Sequence, residues 1–111
     1  MGKTVTIPAD AQRRIAILGQ NLRVARKRRG LSVAGLAQKA GFHRDTVSAI
    51  ERGQPGATIG GVVTMLWALG LDKSLAAVAD PEADLHGKTL EAARLPKRVR
   101  KKAARKDEYE F

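Results

Sequence analysis

The fold is decided by one stretch, LAQKAGFHRDTVSAIERG, residues Leu36 to Gly53. It reads as two short helices joined by a tight turn. Small residues at Ala37 and Ala40 let two helices approach closely, and Gly41 supplies the backbone freedom that a sharp turn needs. The second helix runs from about His43 to Arg52, with Phe42, Val47 and Ile50 turned inward. Its other face stays polar, with Arg44, Asp45, Thr46, Ser48, Ala49 and Arg52. A helix that is apolar behind and lined with hydrogen-bonding side chains in front has the composition needed to enter the DNA major groove.

Working outward, Ser32 can cap the helix that carries Val33, Leu36, Ala37 and Ala40. Before it lies a long helix, opened by Pro8 with Asp10 in its first turn and closed by Gly30. Its apolar positions Ile15, Leu18, Leu22 and Ala25 recur at helical spacing. After the breaker cluster Gly53-Gln54-Pro55-Gly56, Thr58 can cap a fourth helix. Ile59, Val62, Val63, Leu66, Trp67 and Leu69 form its broad apolar face, which places Trp67 in the core. Ser74 to Ala79 reads as a short fifth helix, stopped by Asp80-Pro81. Residues 82–96 are ambiguous, with a helical turn or two around Thr89 to Arg94. The β-branched alternation Thr4 to Ile7 is a weak strand signal, which either pairs with a symmetry mate or stays unpaired. The expected organisation is an N-terminal arm over residues 1–13, a helical domain over 14–79 and a basic tail over 80–111. The expected class is all-α, a compact bundle of four to five short helices with flexible basic tails.

Charge bounds the function. The 111 residues carry 21 Lys and Arg against 11 acids, a formal net charge of +10. So strong a positive charge on a small chain points to a polyanion, nucleic acid before an anionic membrane surface. Seven of the basic residues lie between Arg13 and Arg29 and seven more between Lys97 and Lys106. The second run is either a DNA arm or a solvated tail, and the helix end Arg26 to Arg29 either touches phosphate or is simply solvated. Two Phe, one Tyr and one Trp offer few platforms for stacking on single strands. The chain has no Cys, which excludes disulfides, thiolate metal sites and cysteine nucleophiles. No apolar run approaches a membrane span, and no secretory signal opens the chain, so a cytoplasmic, nucleoid-associated location is expected. A Gly-rich phosphate loop, a metal-ligand cluster and a plausible triad are all missing, so neither enzymatic activity nor a cofactor is expected. His43 reads as a helix N-terminal residue near a phosphate, and His86 as solvated.

The stretch from Leu22 to Leu71 resembles the Xre/Cro/C1-type helix-turn-helix domain of phage repressors and bacterial regulators. The features that carry the resemblance are L-R-x-x-R, G-L-S, L-A-x-x-A-G, I-E-R-G and W-A-L-G-L, in that order. The resemblance implies a lambda-repressor-like fold and roles for particular residues. Arg26 and Glu51 match a structural ion pair between the first and third helices. Arg44, Asp45 and Ser48 match positions that read base edges. Ser32, Thr46 and Arg52 match phosphate-contacting positions, to which position and charge add His43, Arg28 and Arg29. Two departures are Val33, where the family often has a DNA-contacting Gln, and Gly35, where Glu often completes a capping box.

The segment from Ala79 to Arg100 is similar to tails of HipB-type antitoxins. That similarity implies a repressor of its own operon, acting as a homodimer on a palindromic double-stranded operator and binding a HipA-like kinase toxin. The alternatives are a plain Xre-family regulator without a toxin partner, and a nonspecific nucleoid or RNA-binding protein.

Overall fold

A computed structural model describes residues 6–95. They form five α-helices and two 3₁₀ helices, with no strand among the described residues. The described chain divides into two compact units, one ending at Leu75 and one starting at Ala76. The first contains α1 (Ala9–Arg28), α2 (Val33–Ala40), α3 (Arg44–Glu51) and α4 (Ile59–Ala68). The all-α bundle expected from the sequence is what the structure has.

Local chemistry sets the element boundaries. Pro8 precedes α1, as a fixed φ allows at a helix start. The Ser32 hydroxyl accepts from the Gly35 amide at 2.9 Å and caps α2, and Thr58 accepts from Gly61 at 3.0 Å and caps α4. Gly41 ends α2 in the left-handed region at φ 82°, where its amide reaches the carbonyl of Ala37.

The core is one cluster of Leu22, Ala25, Leu36, Ala37, Val47, Ile50, Met65, Leu66, Ala68 and Leu69. Three expectations change here. Leu18 is 38% exposed. The inward row of α1 instead runs Ile15, Gly19, Leu22, Ala25 and Arg26, because a glycine and an arginine carry no apolar signal in a periodicity count. Trp67 is 60% exposed rather than core, and Ile59 is 82% exposed. The fourth helix is apolar nearly all round, and packing selects the arc of Met65, Leu66, Ala68 and Leu69. The expected fifth helix over 74–79 is a 3₁₀ helix over Asp72–Ala77. Its first bond runs three residues back, from the Ser74 amide to the Leu71 carbonyl at 3.1 Å.

In the second unit, the 3₁₀ helix Pro81–Ala83 precedes α5 (Leu85–Arg94). This helix is longer than one or two turns because Asp84 caps it, accepting from the Gly87 amide at 2.9 Å. Neither helix of this unit has a buried residue. Of the proposed strand segment, Thr4 and Val5 lie outside the described residues, as do the basic run Lys97 to Lys106 and the end Asp107 to Phe111. Thr6 and Ile7 have no regular secondary structure.

α1 runs unbroken through residue 13 and braces the end of α3. The Gln12 side-chain amide donates to the Gly53 carbonyl at 2.8 Å. A Cβ on Gly19 would lie 2.5 Å from the Ile50 carbonyl oxygen and 2.7 Å from that of Glu51. Backbone cannot yield to such a contact as a side-chain tip can. Gly19→Ala should therefore push α1 and α3 apart and lower stability by about 1–3 kcal/mol, against the gain of a few tenths to 1 kcal/mol that Ala brings to an unobstructed helix interior. Thermal unfolding of the two proteins measures the difference, and a higher melting temperature for the variant would contradict the close approach.

Candidate nucleic-acid interface

α3 is only eight residues long. A helix this short is not stable by itself in water. Three features hold it. Val47 and Ile50 are buried against the core, His43 caps its start, and Glu51 anchors its end.

The anchor is a two-point ion pair. Arg26 Nε donates to Glu51 Oε2 at 2.6 Å, and Nη2 donates to Oε1 at 3.0 Å. The third guanidinium nitrogen, Nη1, donates to the Leu31 carbonyl at 2.9 Å. One side chain thus joins the last turn of α1, the α1–α2 connection and the last turn of α3. Both side chains are more than nine-tenths buried. The Arg26 guanidinium is held charged more firmly than usual, chiefly through its hydrogen bonds to Glu51; burial opposes this and the carboxylate charge adds to it. Because that shift is upward, its contribution is fully present at neutral pH and is lost only far into the alkaline range.

At the other end, His43 Nδ1 accepts the Asp45 amide at 3.0 Å. An accepting Nδ1 leaves the proton of the neutral ring on Nε2. The Asp45 carboxylate stands 3.5 Å from the same Nδ1. His43, Arg44 and Asp45 are all exposed.

With both ends held, the outward row is set by helical geometry. Arg44, Ser48 and Arg52 follow one another four residues apart, and Asp45 lies three before Ser48, so they share a face. Arg44, Ser48 and Arg52 make no side-chain hydrogen bond with the described residues. Thr46 is half-buried and lines a groove with Asp45, Ala49, Gln54 and Thr58, between α3 and the start of α4. In the sequence Gln54 belongs to the turn cluster, and only the fold brings it into the same groove as Asp45 and Thr46.

The remaining predicted positions sit at the α1–α2 connection. Ser32 is exposed, and although its oxygen accepts the cap bond, its hydroxyl proton is still available to a phosphate. Arg28 is exposed. Arg29 is exposed as well, but its Nη1 donates to the Ala25 carbonyl at 2.9 Å, so part of its donor set closes α1. Gly35 stands where a capping-box acid would complete α2, and a Cβ there would lie 3.2 Å from the capping Ser32 oxygen. Among the described residues no cluster of His, Cys, Asp and Glu could hold a metal ion.

The comparison with known proteins bears on this geometry. A family model described as a helix-turn-helix domain matches residues 17–79, more than half of the chain. The chain belongs to the helix-turn-helix family. It is similar to a protein of Neisseria meningitidis serogroup B (strain ATCC BAA-335 / MC58) described as a Neisseria hypothetical transcription factor. The two are 36% identical over 74 residues, which cover 64% of this chain and 70% of the relative. No solved structure matches. In this helix-turn-helix regulator α2 and α3 are the two helices of the motif. No described helix is long and apolar enough to cross a membrane.

Removing one partner of a buried ion pair leaves an uncompensated charge, whereas replacing both with apolar residues of similar size can be neutral. Arg26→Ala should cost about 3–5 kcal/mol, and Arg26→Lys should recover little of it because lysine cannot reproduce the two-point geometry. The double variant Arg26→Met/Glu51→Leu should recover most of it. Denaturant unfolding of the four proteins measures this, and equal destabilisation by the single and double changes would refute the charge argument.

Proposed function

We propose that this helix-turn-helix regulator is a sequence-specific repressor that binds a palindromic double-stranded operator as a homodimer. The carrying observation is the division of α3. Val47 and Ile50 are buried and Glu51 is clamped, while the Arg44, Ser48 and Arg52 side chains have no hydrogen-bond partner among the described residues. Unpaired donors and acceptors on a rigidly held helix are what base edges in the major groove require.

In this reading Arg44, Asp45 and Ser48 read bases. Arg44 makes two bonds to guanine O6 and N7, and Asp45 accepts from cytosine N4. Ser32, His43, Thr46, Arg52, Arg28 and Arg29 contact phosphate, and His43 does so through Nε2–H because Nδ1 is engaged by the cap. The lysines and arginines outside α3 add salt-sensitive, sequence-independent affinity. The similarity of the tail to HipB-type antitoxins supports a further role, repression of the chain's own operon and neutralisation of a HipA-like kinase. Exposed Leu85 (72%) and Leu90 (50%) on α5 favour a protein partner for that segment.

The test is binding to the DNA upstream of its own gene. Protection of two half-sites about 34 Å apart, or a multiple of that, is expected. Arg44→Ala should remove about 1–3 kcal/mol of discrimination at one base pair in each half-site. Unchanged sequence preference in that variant would overturn the assigned face. Equal affinity for operator and random DNA at matched salt would favour a nonspecific nucleoid or RNA-binding role, and a genome without a HipA-like kinase gene beside this one would remove the antitoxin role.

A further inference from the structure

Near its C-terminal end α4 leaves a tryptophan in the open. Trp67 is 60% exposed, beside Ala68 and Leu69, which are buried in the core. It stands in a cavity of about 600 Å³ whose other lining residues include Arg29, Leu31, Lys39, Ala68 and Leu69. That volume falls within the range of small-molecule sites, roughly 300–1,000 Å³. The lining has two chemistries. Half-buried Leu31 with Ala68 and Leu69 supplies an apolar surface next to the indole. Arg29 and Lys39, both exposed, supply two cations, and among the described residues lining the cavity none is acidic. Arg29 is steadied by its Nη1 bond to the Ala25 carbonyl, and its other guanidinium nitrogens have no partner among the described residues. The Lys39 ammonium has none there either. The closing turn of α4 spends its carbonyls on backbone amides, Trp67 on Gly70 at 2.9 Å and Leu66 on Leu71 at 2.8 Å. The two side-chain cations therefore set the sign of the cavity.

We infer that this cavity is a binding site for a small organic anion that carries a flat aromatic ring. The ring lies on Trp67 and the apolar lining, and the anionic group is taken by Arg29 and Lys39. The cations require negative charge, and the arginine fork suits the paired oxygens of a phosphate or carboxylate. The indole and its apolar neighbours reward a ring over a bare inorganic ion, because aromatic faces stack. A nucleoside monophosphate and an aromatic carboxylate both have this chemistry. The inference goes beyond the regulator reading. No residue of α3 lines the cavity, and of the proposed DNA contacts only Arg29 is shared with it.

The experiment uses the full chain without DNA. Trp67 is the sole tryptophan, so its emission reports this cavity alone. At constant ionic strength the chain is titrated with AMP and with phenylacetate. Each has a neutral counterpart, adenosine and phenylacetamide, and inorganic phosphate serves as an anion without a ring. At least one of the two aromatic anions should change Trp67 emission saturably, with a Kd at least about tenfold below that of its neutral counterpart. Inorganic phosphate should leave the emission unchanged. A response to AMP alone assigns the site to nucleotides, and a response to phenylacetate alone assigns it to carboxylates. Lys39→Gln removes a charge that has no partner among the described residues, so the variant should stay folded by circular dichroism and lose most of the preference for the anion. No saturable response to either aromatic anion would overturn the inference, whether Trp67 is then solvated or covered by other parts of the chain or a second copy. So would equal binding of anion and neutral counterpart, an equal response to inorganic phosphate, or a preference that Lys39→Gln leaves intact. DNA recognition fails or survives separately, through the sequence preference of Arg44→Ala.

Discussion

The contact between Arg26 and Glu51 organises the reading unit. It is a buried ion pair, and such pairs add little net stability compared with apolar packing. What this one supplies is position. The fork geometry of the guanidinium meets both carboxylate oxygens and a third acceptor, the Leu31 carbonyl. Any rotation or slide of α3 would leave a buried charge unpaired. The backbone contact at Gly19 and the Gln12 bond to Gly53 act on the same turn from the same helix. α1 is therefore a brace laid along the C-terminal end of α3.

A firmly held recognition helix resolves a conflict inherent in its composition. Eight residues with three charges and little apolar area have weak reason to be helical. Fixing the two ends and two inner side chains transfers the stabilisation to Val47, Ile50, Glu51 and the His43 cap. The outward side chains of Arg44, Ser48 and Arg52 then keep their hydrogen-bonding capacity free of partners among the described residues.

The helical pattern of the first 80 residues was legible because each boundary carries its own local chemistry: Pro8, Ser32, Gly41, Thr58 and Gly70 act within one turn of themselves. The two faces of α3 were legible for the same reason, from a spacing of three and four residues. Residue choice on α1 and α4 was not. Leu18 and Gly19 are neighbours, and hydrophobicity favours the leucine, yet the glycine faces the core because α3 comes too close there for any side chain. In α4 nearly every position is apolar, so composition cannot say which arc the core will use, and Trp67 falls outside it. The Asp84 cap carries no signal of its own in a segment where no residue is buried and Leu85 and Leu90 stay exposed.

The sequence by itself determined the class of the fold, the helix-turn-helix motif and the polar face of α3, because periodicity, caps and glycine turns are short-range properties. Tertiary structure alone decided which helix braces which, that Gln12 and Gly19 belong to the support of the recognition helix, and that Ile59 and Trp67 are left on the surface. Those outcomes depend on the distance between backbones that are far apart in the chain. A buried arginine and a bare glycine are recognised as structural only once the carbonyl oxygens and the carboxylate they face are in place.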